Sequence, residues 1–232
     1  MTLLKKLSAI GFAAALVLPG AVLAQDEPLV LPDRAEVEPG ATYVAEIYRD
    51  WQIRCIRAEL ETAPDRCEMF QLLEEENGNP VAEFRVGAEL FEVEGAVATA
   101  TVLTPLDTLL SPGLQMQIDD AEAVVLPYAF CRPIGCFVQI SLTAENVDLF
   151  QNGADALIVL FALTRDEQGQ IGGIPVPTQA SLRGFTAAYE DLVARRQEII
   201  AFLEEQEANA PAEEDGAAEE DGAPAEEAAP TE

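Results

Sequence analysis

The side chains with the clearest chemical potential are four cysteines, Cys55, Cys67, Cys131 and Cys136. A redox-active pair of the thioredoxin type holds two residues between its cysteines at a helix start, where the thiol pKa falls. Cys131 and Cys136 instead enclose Arg132-Pro133-Ile134-Gly135 between two strand-like runs, which suits a structural staple. Zinc would require four thiolates at finger-like spacing, and only this last pair comes near it. Other routes to catalysis are poorly supplied. The chain has no histidine, so the commonest general base and the commonest metal ligand are both missing. Ser111 and Ser141 have no histidine to activate them, and the only lysines are Lys5 and Lys6. Asp119-Asp120 and Glu74-Glu75-Glu76 sit beside turn signals and read as solvated turn residues. The expectation is a protein that is not an enzyme, with no catalytic residue, no cofactor and no metal.

The elements that would hold these cysteines are short strands. Trp51, Ile53 and Cys55 alternate with Gln52 and Arg54, the period of a strand with one buried face. Cys67–Glu74 and the run from Val81 flank Asn77-Gly78-Asn79-Pro80, predicting a hairpin over 67–90. Further strands are expected at Thr42–Ile47, Val97–Leu103, Leu114–Ile118, Ala123–Tyr128, Phe137–Leu142 and Ala156–Leu163. Gly172–Ala180 carries Pro175 and Pro177 and belongs at a sheet edge. Thr143 can cap a short helix that ends before Gly153. From Phe185 the apolar spacing changes to three, four and seven, predicting a helix to about Glu207. The loop 104–113 is unusually apolar. Leu106, Leu109, Leu110 and Pro112 are a candidate binding loop, although packing of the leucines beneath the sheet is the first expectation. Many short strands and one late helix argue for a β-sandwich, with a closed barrel as runner-up.

The ends of the chain have their own character. Lys5-Lys6, the apolar run Leu7–Leu18 and the small residues before Gln25 read as a signal peptide over 1–24. In an exported chain four cysteines imply two disulfides. Three pairings are open, and Cys55–Cys67 with Cys131–Cys136, which close short loops, are preferred. A Pro- and acid-containing flexible leader follows over 25–41, then a domain over 42–207. Residues 208–232 read as a disordered acidic tail. Glu204 to Glu232 holds 12 acids and no base, within a chain whose net charge is −29. Such a charge opposes nucleic acid and anionic membrane surfaces and favours a basic partner or simple solubility. No mature segment is long and apolar enough to form a transmembrane helix.

Several stretches together resemble the invasion-associated locus B proteins of Gram-negative bacteria: Asp50-Trp51-Gln52-Ile53-Arg54-Cys55, Cys67-Glu68-Met69-Phe70-Gln71, Thr104-Pro105-Leu106, Leu110-Ser111-Pro112-Gly113-Leu114, Phe130-Cys131 with Gly135-Cys136, and Leu182 with Gly184-Phe185-Thr186-Ala187. The resemblance covers about residues 45–192. It implies an exported, periplasmic or envelope-associated protein with an immunoglobulin-like β-sandwich, linked in some pathogens to entry into host red cells. It brings no catalytic residues. The expected activity is binding to an envelope protein through loops or a sheet edge. The alternatives are a small-molecule carrier, which needs a cavity in the sandwich, and an enzyme of unknown type.

Overall fold

A computed structural model describes residues 31–75 and 77–209. The expected signal peptide, the first part of the leader and the acidic tail beyond Asn209 lie outside the described residues. The described residues build eleven strands and two α-helices. The strands are β1 (Thr42–Tyr48), β2 (Trp51–Ile56), β3 (Arg66–Glu74), β4 (Pro80–Val93), β5 (Ala96–Thr104), β6 (Leu114–Ile118), β7 (Val124–Leu126), β8 (Phe130–Arg132), β9 (Gly135–Thr143), β10 (Asp155–Arg165) and β11 (Ile171–Ser181). The helices are α1 (Ala144–Asn152) and α2 (Phe185–Asn209). They form a seven-stranded antiparallel sheet in the order β1-β2-β3-β4-β5-β9-β8 and a four-stranded one in the order β11-β10-β6-β7. The protein is thus an all-β sandwich with a C-terminal helix.

Alternation decides which face of each strand is inside. Trp51, Ile53 and Cys55 are fully buried, as are Met69, Leu73, Phe84, Val86, Ala98, Ala100, Val102 and Val138 across the large sheet. Leu114, Met116, Ala156, Ile158, Leu160 and Ala180 of the small sheet complete the same core. Four strands cannot cover seven. The remaining inner surface is covered by α2, which lies against β1, β2, β3 and β4 through Phe185, Ala188, Tyr189 and Leu192. Helix α2 starts where Gly184 adopts φ +89°, and a Cβ there would stand 2.1 Å from the Tyr48 carbonyl oxygen. Only glycine lets the helix enter the core that close to β1. Strand β11, with its two prolines, is an edge as expected, and β10 is central in its sheet.

Both disulfides bridge directly opposed residues of antiparallel neighbours: Cys55–Cys67 across β2–β3 and Cys131–Cys136 across β8–β9. The short-loop pairing is the one adopted. Under the chain-entropy argument, separations of 12 and 5 residues predict losses of about 3 and about 2 kcal/mol when each pair is replaced by alanines. Urea unfolding of the two double variants checks the order. A larger loss at Cys131–Cys136 would overturn the loop-entropy account.

Two expectations need correction. The leucines of loop 104–113 do not tuck beneath the sheet: Leu106 and Leu110 are 56% and 41% exposed. The loop is attached by its backbone instead. Leu109 N–H donates to the Phe161 carbonyl and Leu163 N–H to the Asp107 carbonyl, both at 2.7 Å, beside a bridge between Thr108 and Ala162. Thr108 is the buried side chain, its hydroxyl donating to the Pro105 carbonyl at 2.7 Å. Leu109 alone meets the small sheet, where its side chain would clash with any Cβ at Gly173. Second, the leader is held over its later part. Asp33 caps a 3₁₀ turn at Arg34–Glu36, and Arg34 bonds Asp65 through two nitrogens at 2.8 and 2.9 Å. The pattern signal was blind to this turn because a single polar anchor has no periodicity.

Candidate functional site

The sandwich is incomplete at one corner. Strand β7 is the end of the small sheet, and among the described residues it pairs with β6 alone. Its register, Leu114 with Leu126 and Met116 with Val124, turns Val124 and Leu126 toward the inner side and Val125 away from it. The partner surfaces there are Ile140 and Leu142 of β9 and the flank of α1. They do not close on β7, leaving a cleft of 630 Å³ floored by Met116, Ile118, Ile140, Leu142 and Phe150. Val124 stays 50% exposed on an inward-turned position, and Leu149 of α1 is 52% exposed beside it.

Local sequence fixes both walls. Thr143 N-caps α1 with a capping box through Asn146, Glu145 lies in the first turn, and Gly153 ends the helix. Val147 and Phe150 face the core, so helical spacing carries Leu149 to the open side. Gly153 permits the close approach of α1 to β6, since a Cβ would lie 2.8 Å from Ile118 Cγ2. Asp119 takes φ +46° at the end of β6, and its carboxylate accepts from Ala154 N–H and Asp155 N–H at 3.0–3.1 Å. That aspartate is therefore a structural clamp, in line with the turn role expected for Asp119-Asp120. The rim holds Asp119, Glu122, Glu145 and Asp148 and, among the described residues, no basic side chain. An apolar floor under a carboxylate rim suits an apolar ligand segment with basic flanks. It offers no nucleophile–base pair.

A second surface is the outer face of the large sheet. Arg54, Glu68 and Phe70, Arg85 and Glu83 point there from β2, β3 and β4. The Arg54 guanidinium carbon stands 3.1 Å from the Phe70 ring centroid, a cation–π contact that leaves Phe70 only 3% exposed on an outward position. Arg85 reaches Glu68 at 3.3 Å and also bonds Glu83. Burial pushes the Arg54 guanidinium below its ordinary pKa, with Glu83 opposing. Burial pushes the Glu68 carboxyl up, with Arg85 and Arg54 opposing.

Apart from Asp119 on the cleft rim, the residues singled out from sequence do not gather at either place. Cys55–Cys67 lies under α2, where Arg195 Nη1 is 3.9 Å from Cys55 Sγ. Cys131–Cys136 staples the β8–β9 turn, whose Gly135 sits 2.3 Å (as a virtual Cβ) from the Thr104 carbonyl oxygen. Leu106, Leu109, Leu110 and Pro112 form their own loop outside the cleft. The cleft has no signature along the chain because its lining comes from β6, β7, β9 and α1. One signal was present: Val124 and Val125 are apolar, adjacent and followed by Pro127, a pattern for a short exposed edge.

The family model and the matching sequences agree on one family. The family model described as invasion associated locus B (IalB) protein matches residues 51–193. An invasion protein B homolog of Brucella abortus (strain 2308) is 29% identical over 160 residues, covering 69% of this chain and 85% of the relative. A homolog from B. abortus biovar 1 (strain 9-941) matches with the same figures. The crystal structure of invasion associated protein B from Bartonella henselae aligns with a TM-score of 0.47 and 19% identity, over 66% of this chain and 97% of that one. The matched residues run from the buried Trp51 into α2 and take in both disulfides and the whole cleft, and with them the chain belongs to the invasion-associated locus B family.

Proposed function

We propose that this is an exported, non-enzymatic protein of the cell envelope that works by binding another envelope protein. The observation that carries the reading is an apolar cleft opening beside a strand edge that is unpaired among the described residues. A partner segment can add to β7 by main-chain hydrogen bonds and drop alternate apolar side chains toward Val124, Leu126 and Leu149. The carboxylate rim selects segments with basic flanks and disfavours anionic amphiphiles. Export is supported by the signal-like residues 1–24, by two disulfides, and by membership of an envelope-associated family. No helix among the described residues is long and apolar enough to cross a membrane. The relatives' names refer to invasion.

The test is in-cell photo-crosslinking from position 125, whose side chain is 62% exposed and next to the edge. Amine-directed reagents are unsuitable because the only lysines are Lys5 and Lys6. One dominant envelope protein should be captured. Val124→Arg should reduce that capture roughly tenfold, the effect of about 1.4 kcal/mol at an interface. Val124 is half exposed, so the variant is expected to fold. A blank at good expression, or capture that ignores Val124→Arg, would sink the reading. A cleft of 630 Å³ also lies in the range of small-ligand sites. A co-purifying mass in native mass spectrometry, lost in Val124→Arg, would favour the carrier alternative.

A further inference from the structure

The outer face of β2, β3 and β4 is an arginine-rich surface on a protein whose net charge is −29. Arg54 and Glu68 are opposed across β2–β3, Ile56 and Arg66 are the next pair along, and Arg85 lies across β3–β4 from Phe70. Three arginines thus stand within three adjacent strands, against Glu68 and Glu83. They border a depression of 400 Å³ together with Thr42 and Ile56. Arg85 has carboxylate partners at Glu68 and Glu83. Arg54 is stacked on Phe70 and, among the described residues, donates only to the Gln52 side-chain oxygen, at 3.0 Å. Arg66 is exposed at the rim.

Helix α2 brings the C-terminal segment to this rim. Arg195, Arg196 and Ile199 pass over Cys67 and Ala88. Phe202 and Leu203 then share a surface depression with Ile56 and Arg66 at the ends of β2 and β3. Ile56 and Arg66 border both depressions, so α2 leaves the core beside the arginine face. Residues 210–232 follow Asn209 directly and hold nine acids and no base. Twenty-three residues can span up to about 75 Å, whereas three adjacent strands occupy only about 10 Å.

We propose that the acidic segment 210–232 folds back onto the arginine face formed by Arg54, Arg66 and Arg85. Tethering gives a short segment an effective concentration on the order of millimolar, so a contact too weak to persist between separate molecules is populated within one. The binding is electrostatic and non-periodic, which suits a segment built only of Pro, Ala, Glu, Asp, Gly and Thr. The inference is independent of the β7 cleft, which lies elsewhere on the fold.

The experiment compares the full chain with a full-length version whose nine acids from Glu213 to Glu232 are changed to their amides. Arginine Nε–Hε and backbone resonances are recorded by NMR in low and high salt. Differences should concentrate on Arg54, Arg66, Arg85 and Thr42. They should disappear between about 0.01 and about 1 M salt, as the screening length falls from about 30 to about 3 Å. A peptide of residues 210–232 added to the amide version should move the same resonances, and Arg66→Gln should weaken that response. Unchanged arginine resonances would overturn the proposal. Differences confined to Ile199–Asn209, where the segment is attached, would overturn it equally.

Discussion

Replacing Trp51 with alanine should destabilise the fold by about 4 kcal/mol, the range for removing a large aromatic from a core. Trp51 is fully buried, with ring centroids 5.5 Å from Phe84 and 5.3 Å from Phe185. It joins three layers, since Phe84 belongs to β4, Phe185 begins α2, and the indole N–H donates to the Ser181 carbonyl of β11 at 2.9 Å. Deletion therefore loosens the docking of α2 and of the small sheet together. Trp51→Phe separates packing from hydrogen bonding. The Ser181 carbonyl keeps a second donor, Gln71 Nε2 at 3.0 Å, so no buried acceptor is orphaned. The phenylalanine variant should then cost only about 1–2 kcal/mol, mostly lost volume. Urea unfolding followed by circular dichroism measures both. A cost under about 1 kcal/mol for Trp51→Ala would mean that the core closes without it.

Asp65→Ala should cost about 3 kcal/mol, for a different reason. The Asp65 side chain is 5% exposed and accepts from Arg34 Nε at 2.8 Å, Arg34 Nη2 at 2.9 Å, the Tyr43 hydroxyl at 2.6 Å and Ala58 N–H at 2.8 Å. Truncation leaves these donors without their anion, and breaking a buried pair costs about 3–5 kcal/mol. The lower end applies because Arg34 is 31% exposed and can turn to water. Burial pushes the Asp65 carboxyl up, but the bonds from Arg34, Tyr43 and Ala58 outweigh it and hold the pKa below its ordinary value. The Tyr43 hydroxyl is pushed up to about 12, first by burial and then by its bond to Asp65. Because the folded carboxyl has the lower pKa, its contribution is complete above the unfolded value, about 3.9. It is lost as pH falls through the folded value. Acid titration of stability should therefore be flatter in Asp65→Asn than in the parent below about pH 4. Equal slopes would remove Asp65 as an acid-sensitive tie between β1, the leader turn and the β2–β3 connection.

Much of the fold can be read along the chain because its causes are local. Period-two alternation identifies the buried face of β2, the Asn77–Pro80 turn marks the β3–β4 hairpin, and Thr143 and Gly153 bound α1. Pro175 and Pro177 place β11 at an edge because a residue without an N–H cannot serve a central ladder. The features that were not legible are non-local. Asp65 sits in a polar connection whose composition suggests only solvent, and its partners lie 31, 22 and 7 residues away. Leu106 and Leu110 look like core residues by type, yet loop 104–113 is anchored through main-chain bonds to β10, which hydropathy does not encode.

By itself the sequence determined the class and the pairing of the cysteines as staples, because residue types and short spacings are sufficient for those. The preferred disulfide pairing was also within its reach, since both bonds join neighbouring strands of local hairpins. Only the tertiary structure decided where an open apolar cleft and a basic face lie. The cleft exists because a four-stranded layer and two helices must cover seven strands, and they fall short at β7. The arginine face exists because β2, β3 and β4 pair in a register that brings Arg54, Arg66 and Arg85 together. Both surfaces are set by strand register and layer coverage, which are properties of the assembled sheets rather than of any one segment.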